Sequence, residues 1–196
     1  MTARLEQQFA FLNDADRLKS VLRATTLCDG SRPENTAEHS WHLTLYAMVM
    51  ADHAAPAVDI FRVIQMLILH DLVEIDVGDV PIHSSGGQAH ASADTIAAEQ
   101  RAADRIFGLL PPDLGSRFRK LWDEFEAAET PDAVFAKSLD RVQPVMANLM
   151  SGGGTWNTYN VTAEQLDVRV GVKIAKGAPN LWDWLREKSR IYFAKA

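Results

Sequence analysis

The chain has 196 residues, 47% of them hydrophobic, a formal net charge of −6 and one cysteine. That length buries a substantial core as one domain, and the acidic balance argues against a nucleic-acid polymer as partner, because such binders usually carry a basic face. A lone Cys28 excludes an internal disulfide, a zinc finger and a redox pair, and reads as a small, partly buried apolar side chain.

No run of about eighteen apolar residues occurs, and the start MTARLEQQF is too polar for a signal peptide. The expectation is a cytoplasmic protein with no membrane contact. Leu5, Phe9, Leu12, Asp16 and Lys19 fall at helical steps, which predicts an amphipathic first helix to about Arg23. Thr25 to Asn35, with Asp29-Gly30-Ser31 and Arg32-Pro33, has turn chemistry and no period, so it is expected to be a loop. Asn35 or Thr36 then caps a second helix, with Glu38 placed for a capping box, and Pro56 follows its end near Ala54. His39 falls in its first turn.

A third helix is predicted from Asp59 through His70, Asp71 and Glu74, followed by a loop from Gly78 through Pro81 to Gly87. Ala91–Leu110, Asp113–Glu129 and Asp132–Met150 read as further helices, the last bent at Pro144. Ser151-Gly152-Gly153-Gly154 reads as a flexible linker, and two shorter helices, about Thr162–Lys176 and Pro179–Phe193, close the chain. No β-alternation of any length is visible, so the class is all-α: a helical core over 1–150 and a C-terminal helical extension, 151–196, packed on the same domain. Trp122, Phe125, Trp182 and Leu185 fit helix faces packing on the core or a partner. Trp156, beside the glycine run, reads as structural, with a pocket cap as the sharper alternative.

His70-Asp71 stands in VIQMLILHDLVEIDVGD, an apolar run that suddenly carries an imidazole and several carboxylates. Polar groups among apolar side chains cost several kcal/mol unless they are paired, neutralised or bound to a metal. With His39 upstream and Asp140 downstream, the set is of borderline hardness and suits Mn, Fe, Co, Ni or Zn with positions left open. His70 and Glu74 lie four residues apart, and Asp71 and Glu74 three, so a helix can aim all of them at one pocket.

His39, His70-Asp71 and Asp140 resemble the H…HD…D signature of the HD-domain metal-dependent phosphohydrolases. The words ENTAEHSWHL, MLILHDLVEIDVGD and LWDEFEAAETPDAVFAKSLDRV are similar to its small 5'-deoxynucleotidase branch. The resemblance runs roughly from Phe9 to Asn148. It implies an HD-domain multi-helix bundle and a divalent metal ion (Mn, Co, Fe, Ni, Zn or Mg) on His39, His70, Asp71 and Asp140. It also implies removal of the 5'-phosphate from nucleoside monophosphates, with Glu74 and Asp79 jointly as the catalytic acids and Arg23 and Lys137 meeting the phosphate. A homodimer is implied as well. Another HD-type phosphodiesterase or a triphosphohydrolase is the alternative, and a non-catalytic binding protein the remaining one.

There is a departure at Ala24, where the resembled enzymes carry a tryptophan against the sugar, so ribonucleotides are expected to be accepted beside deoxyribonucleotides. Asp76, His42 and His53 have no counterpart in the motif. Asp76 reads as a solvated loop carboxylate and the two histidines as ordinary ones. His83 and His90 lie in a loop that could border the site.

Overall fold

The computed structural model describes residues 2–84 and 92–195, so His90 and the predicted helix start at Ala91 lie outside the described residues. The first helix, α1, is Thr2–Ala15 and shorter than expected; a single 3-10 segment, Asp16–Ser20, follows it. The chain then becomes extended, correcting the expectation that helix would reach Arg23. Strand β1, Leu22–Thr26, pairs antiparallel with β2, Pro33–Asn35, in a two-stranded sheet with an irregular register, Leu22 opposite Asn35 and Thr26 opposite Pro33. LRATT ends in two β-branched threonines, which favour extended backbone, but strands this short leave no readable alternation. The loop between them closes through the Leu27 N–H to the Arg32 carbonyl. Cys28 sits on that loop and is exposed, not partly buried.

The predicted capping box is present at the start of α2, Thr36–Val49: the Glu38 N–H donates to Asn35 Oδ1 and the Asn35 N–H to the Glu38 carboxylate. Helix α3, Ile60–Leu69, begins at an Asp59 cap. What was expected as one helix through Glu74 tightens into a 3-10 segment, His70–Val73, before α4, Glu74–Val77. Helices α5 (Ala93–Phe107), α6 (Pro112–Ala127) and α7 (Pro131–Met150) follow, and α7 runs through Pro144 without a break.

Helix α7 is the axis of the molecule. Its Ala133, Phe135, Ala136, Leu139, Val142 and Val145 are buried, and it packs against α2, α3, α6 and the C-terminal helices. Those are α8 (Gly154–Thr158), α9 (Ala163–Leu166), a π-type turn over Asp167–Gly171, α10 (Val172–Gly177) and α11 (Pro179–Phe193). A Cβ on Gly177 would stand 2.6 Å from the Val134 carbonyl, so glycine is what lets α10 lie this close to α7. The glycine run before α8 is a shaped turn: Gly153 has φ +110°, and a Cβ there would meet the Tyr192 hydroxyl at 2.0 Å. Trp156 is thereby buried against Tyr192 and Phe193, with ring centroids 5.3 and 5.0 Å away, and does not stand in a loose loop. No helix among the described residues is long and apolar enough to cross a membrane.

Candidate metal centre

His39 enters from the first turn of α2, His70 and Asp71 from the 3-10 segment after α3, and Asp140 from the middle of α7. His39 Nε2 lies 3.1 Å from Asp140 Oδ1 and 3.9 Å from Asp71 Oδ2. His70 Nε2 lies 3.0 Å from Asp71 Oδ1 and 3.7 Å from Asp140 Oδ1. Donor atoms of His39, His70 and Asp71 all fall within 4.8 Å of one another. His39 and His70 are buried, with 0% and 4% of their surface exposed, so neither is a solvated surface histidine.

The supporting contacts fix which nitrogen each ring offers. His70 Nδ1 donates to the Leu67 carbonyl at 2.8 Å, which leaves Nε2 with a lone pair aimed at the two carboxylates. That nitrogen is buried and has no hydrogen-bond partner, although acceptor oxygens stand close by. Facing lone pairs repel unless a proton or a cation lies between them, and a divalent ion fits this donor set of imidazole nitrogens and carboxylate oxygens. Trp122 Nε1 donates to the His70 carbonyl at 3.0 Å and the Phe125 ring lies 4.8 Å from the imidazole, so these two aromatics also hold the ligand's backbone and ring.

His39 Nδ1 bonds the Gln143 amide oxygen at 3.0 Å, and Gln143 Nε2 donates to Glu34 Oε1 at 2.9 Å. Glu34 is 3% exposed, and its other oxygen faces both His39 Nδ1, at 3.4 Å, and Arg23 Nε, at 3.9 Å. Nothing in the sequence marked Glu34 or Gln143. They are ordinary polar residues 109 positions apart, joined only by the packing of β2 against α7.

Arg23 is carried on β1 and not at a helix end. It stands 3.1 Å from Asp71, 3.4 Å from Asp79, 3.8 Å from Glu74 and 3.9 Å from Glu34. Glu74 Oε2 accepts from the Thr36 hydroxyl at 2.8 Å, and Asp79 Oδ2 accepts from the Ala24 N–H at 3.3 Å. Burial, then the Asp71 charge, push the Glu74 carboxyl well above the usual range against the pull of Arg23. Burial also raises Asp79, again opposed by Arg23 and assisted by Asp71. Asp71 goes the other way: burial resists, but His70 and Arg23 hold it down at about 2. Burial likewise opposes a charged His70, yet in the metal-free protein Asp71 and Asp140 outweigh it and lift the imidazole to about 10, so that a proton on Nε2 stands where a cation would. Carboxyls pushed up beside a carboxylate held down is the division of labour that acid–base chemistry uses.

Lys137 lines the same pocket from α7, bonded to Glu126 at 3.0 Å with its ammonium 4.2 Å above the Phe125 ring. His83 lines the pocket as well. His42 stacks on Trp41, meets Tyr46 edge-on and lies 3.5 Å from Gln143 Nε2, beside the amide that holds His39, and His53 faces Asp52 at 3.7 Å. Asp76 is exposed as expected but lies in α4 and not in a loop, where it pairs with Arg105 at 2.5 Å.

The pocket holds about 1060 Å³ of free space including its mouth. One stripe of α7 forms a wall: Lys137, Asp140, Arg141, Pro144, Val145 and Asn148, spaced as one helical face. The stripe runs from charge to apolar surface. Beyond it, Trp156, Tyr159, Leu166 and Val170 of the C-terminal helices continue the apolar end, and Ala24 and Thr25 of β1 also line the pocket.

The HD-domain family model matches residues 15–182. The human protein 5'-deoxynucleotidase HDDC2 is 29% identical over 143 residues, 69% of this chain, and the matched stretch spans 64% of that relative's length. A 5'-deoxynucleotidase of Erwinia tasmaniensis is 27% identical over 161 residues, covering 79% of this chain and 81% of its own. The crystal structure of a "predicted metal-dependent phosphohydrolase" from Magnetospirillum magnetotacticum superposes with a TM-score of 0.89 at 43% identity, covering 97% of this chain and 95% of that one.

Proposed function

The chain belongs to the HD-domain family, and we propose that it is a metal-dependent phosphohydrolase that removes the 5'-phosphate of ribo- and deoxyribonucleoside monophosphates. His39, His70, Asp71 and Asp140 would hold the divalent ion, which when bound lowers the pKa of water from about 15.7 toward about 7 and neutralises phosphoryl charge. The observation that carries the reading is the polarity of the pocket. Its ligand end joins continuously to an apolar end along one face of α7, a shape that fits a compact phosphate on an organic group of nucleoside size.

The residues divide the remaining work. Arg23 balances the carboxylates around it and keeps the cluster from repelling itself apart. Lys137 supplies a further cation from α7. The water oxygen attacks phosphorus, the bond from phosphorus to the ester oxygen breaks, and the leaving oxygen takes a proton. Glu74 or Asp79, each pushed toward protonation by burial and by Asp71 against the pull of Arg23, is suited to give that proton.

Phosphate release from a panel of mono-, di- and triphosphates and a phosphodiester, with added Mn or Co, tests the reading. Monophosphates are expected to turn over, with deoxyribonucleotides favoured over ribonucleotides by less than about tenfold, because Ala24 leaves the sugar without a bulky wall and one small group in an apolar pocket is worth only about 1–3 kcal/mol. Turnover confined to triphosphates or diesters would replace this reading with the alternative one. A hundredfold deoxy preference would show that another side chain makes the wall.

A further inference from the structure

The three cations of the pocket are not equally committed. Arg23 is enclosed by carboxylates of Asp71, Glu74, Asp79 and Glu34, and Lys137 is bonded to Glu126. Arg141 differs from both in having no carboxylate within hydrogen-bond distance, although Arg23 shares with it a buried Nε that has no hydrogen-bond partner among the described residues. Its side chain is only 13% exposed, its Nε is buried with no hydrogen-bond partner among the described residues, and its nearest carboxylate is Asp140 Oδ2 at 3.7 Å. A buried guanidinium nitrogen without an acceptor costs free energy that a ligand oxygen can recover.

Its surroundings add to that cost. Arg141 stands one turn after Lys137 on the same face of α7, a like-charge spacing that destabilises a helix. Lys173 of α10 is close enough that, after partial burial, the Arg141 and Lys137 charges push its ammonium below the ordinary lysine range. Glu126 is bonded to Lys137, and its charge and that of Asp140 only partly offset the effect on Lys173. The cations therefore gather beside the ligand cluster, at the point where the α7 wall passes from the ligand Asp140 to the apolar Pro144 and Val145.

We propose that Arg141, with Lys137, is the anion clamp of this pocket and takes the phosphoryl oxygens of the substrate and of the phosphate product. The inference deepens the phosphohydrolase reading and rests on it for the substrate, but not on the substrate being a nucleotide. Arg suits the role because its planar fork meets two oxygens at once. Having entered, a phosphoryl group would lie between the ligand cluster and Arg141, with its organic substituent directed along Pro144 and Val145 toward the C-terminal helices.

The test measures binding of inorganic phosphate to the metal-loaded protein by calorimetry, together with KM and kcat for a nucleoside monophosphate and for p-nitrophenyl phosphate. Arg141→Gln is expected to weaken phosphate binding at least about tenfold and to raise KM for both esters by a similar factor, with metal content and melting temperature unchanged. Arg141→Lys, which keeps the charge and loses the fork, is expected to recover part of the loss, and it carries the test should the glutamine variant fail to fold. Unchanged phosphate affinity in Arg141→Gln, or no phosphate binding by the metal-loaded parent, overturns the proposal. Loss of p-nitrophenyl phosphate turnover in the variant, where the parent never hydrolyses nucleotides, would sink the nucleotide reading and leave the clamp standing.

Discussion

At one end of the pocket, His39, His70, Asp71, Glu74, Asp79 and Asp140 crowd into burial with a ring nitrogen unbonded and two carboxyls forced toward protonation. At the other end Asn148 and Thr155 answer each other. Asn148 Nδ2 donates to the Thr155 hydroxyl at 2.9 Å, the Thr155 N–H donates to Asn148 Oδ1 at 2.8 Å, and the Trp156, Tyr192 and Phe193 rings pack on one another. The first end gives up stability to hold chemistry ready, and the second supplies ordinary core that keeps the first in place. Substitutions at the two ends should therefore fail in different ways, activity without fold on one side and fold before activity on the other.

The largest expected effect is on rate. Glu74→Gln keeps the shape and the Thr36 contact but removes the transferable proton, so kcat is expected to fall about 10²–10⁴-fold with melting temperature and metal content unchanged. Near-normal turnover would move the acid role to Asp79. The opposite failure is expected of Trp156→Ala, which empties a buried site between α8 and α11 and should cost about 3–5 kcal/mol of stability by chemical denaturation. A loss of activity in that variant with full stability would make Trp156 a substrate contact and blur the division between the two ends.

The smallest effect lies on the wall between them. Burial, with the Glu126 charge adding and Lys137 opposing, raises the Glu99 carboxyl to about 7. A raised carboxyl contributes its stability below its unfolded value of about 4.3 and loses it as pH climbs toward 7. Glu99→Gln should therefore be more stable than the parent at pH 8, by less than about 1 kcal/mol once solvent screening is counted, and no more stable at pH 4. An equal gain at both values would show that charge is not the cause.

How much of this was legible follows from where the signal lies. His39, His70, Asp71 and Asp140 stood out because imidazoles and carboxylates in an apolar run need compensation, and the fold brings all four together. The major helices were legible from period and caps, as at Asn35 and Glu38. The β1–β2 hairpin was not, since Leu22–Thr26 and Pro33–Asn35 are too short to show alternation, and Arg23 was consequently placed on the wrong kind of element. Glu34 and Gln143 act only through contacts far apart in sequence, so no local pattern announces them. Trp122 and Phe125 were read as core, which they are, but their contacts with His70 give that core a second use. The glycine run misled in the other direction: it suggested a loose segment, whereas its positive φ angles build a tight turn that buries Trp156, whose structural reading stands.

The central claim is that the unbonded His70 nitrogen and the carboxylates facing it exist to hold one ion. Metal content of the purified parent and of Asp71→Ala, measured per folded chain by mass spectrometry after reconstitution with Mn or Co, tests it most directly. The account predicts about one divalent ion on the parent, and on Asp71→Ala a loss of that ion with a native circular dichroism spectrum, because the helical core around α7 does not depend on the site. Full metal occupancy in Asp71→Ala would contradict it.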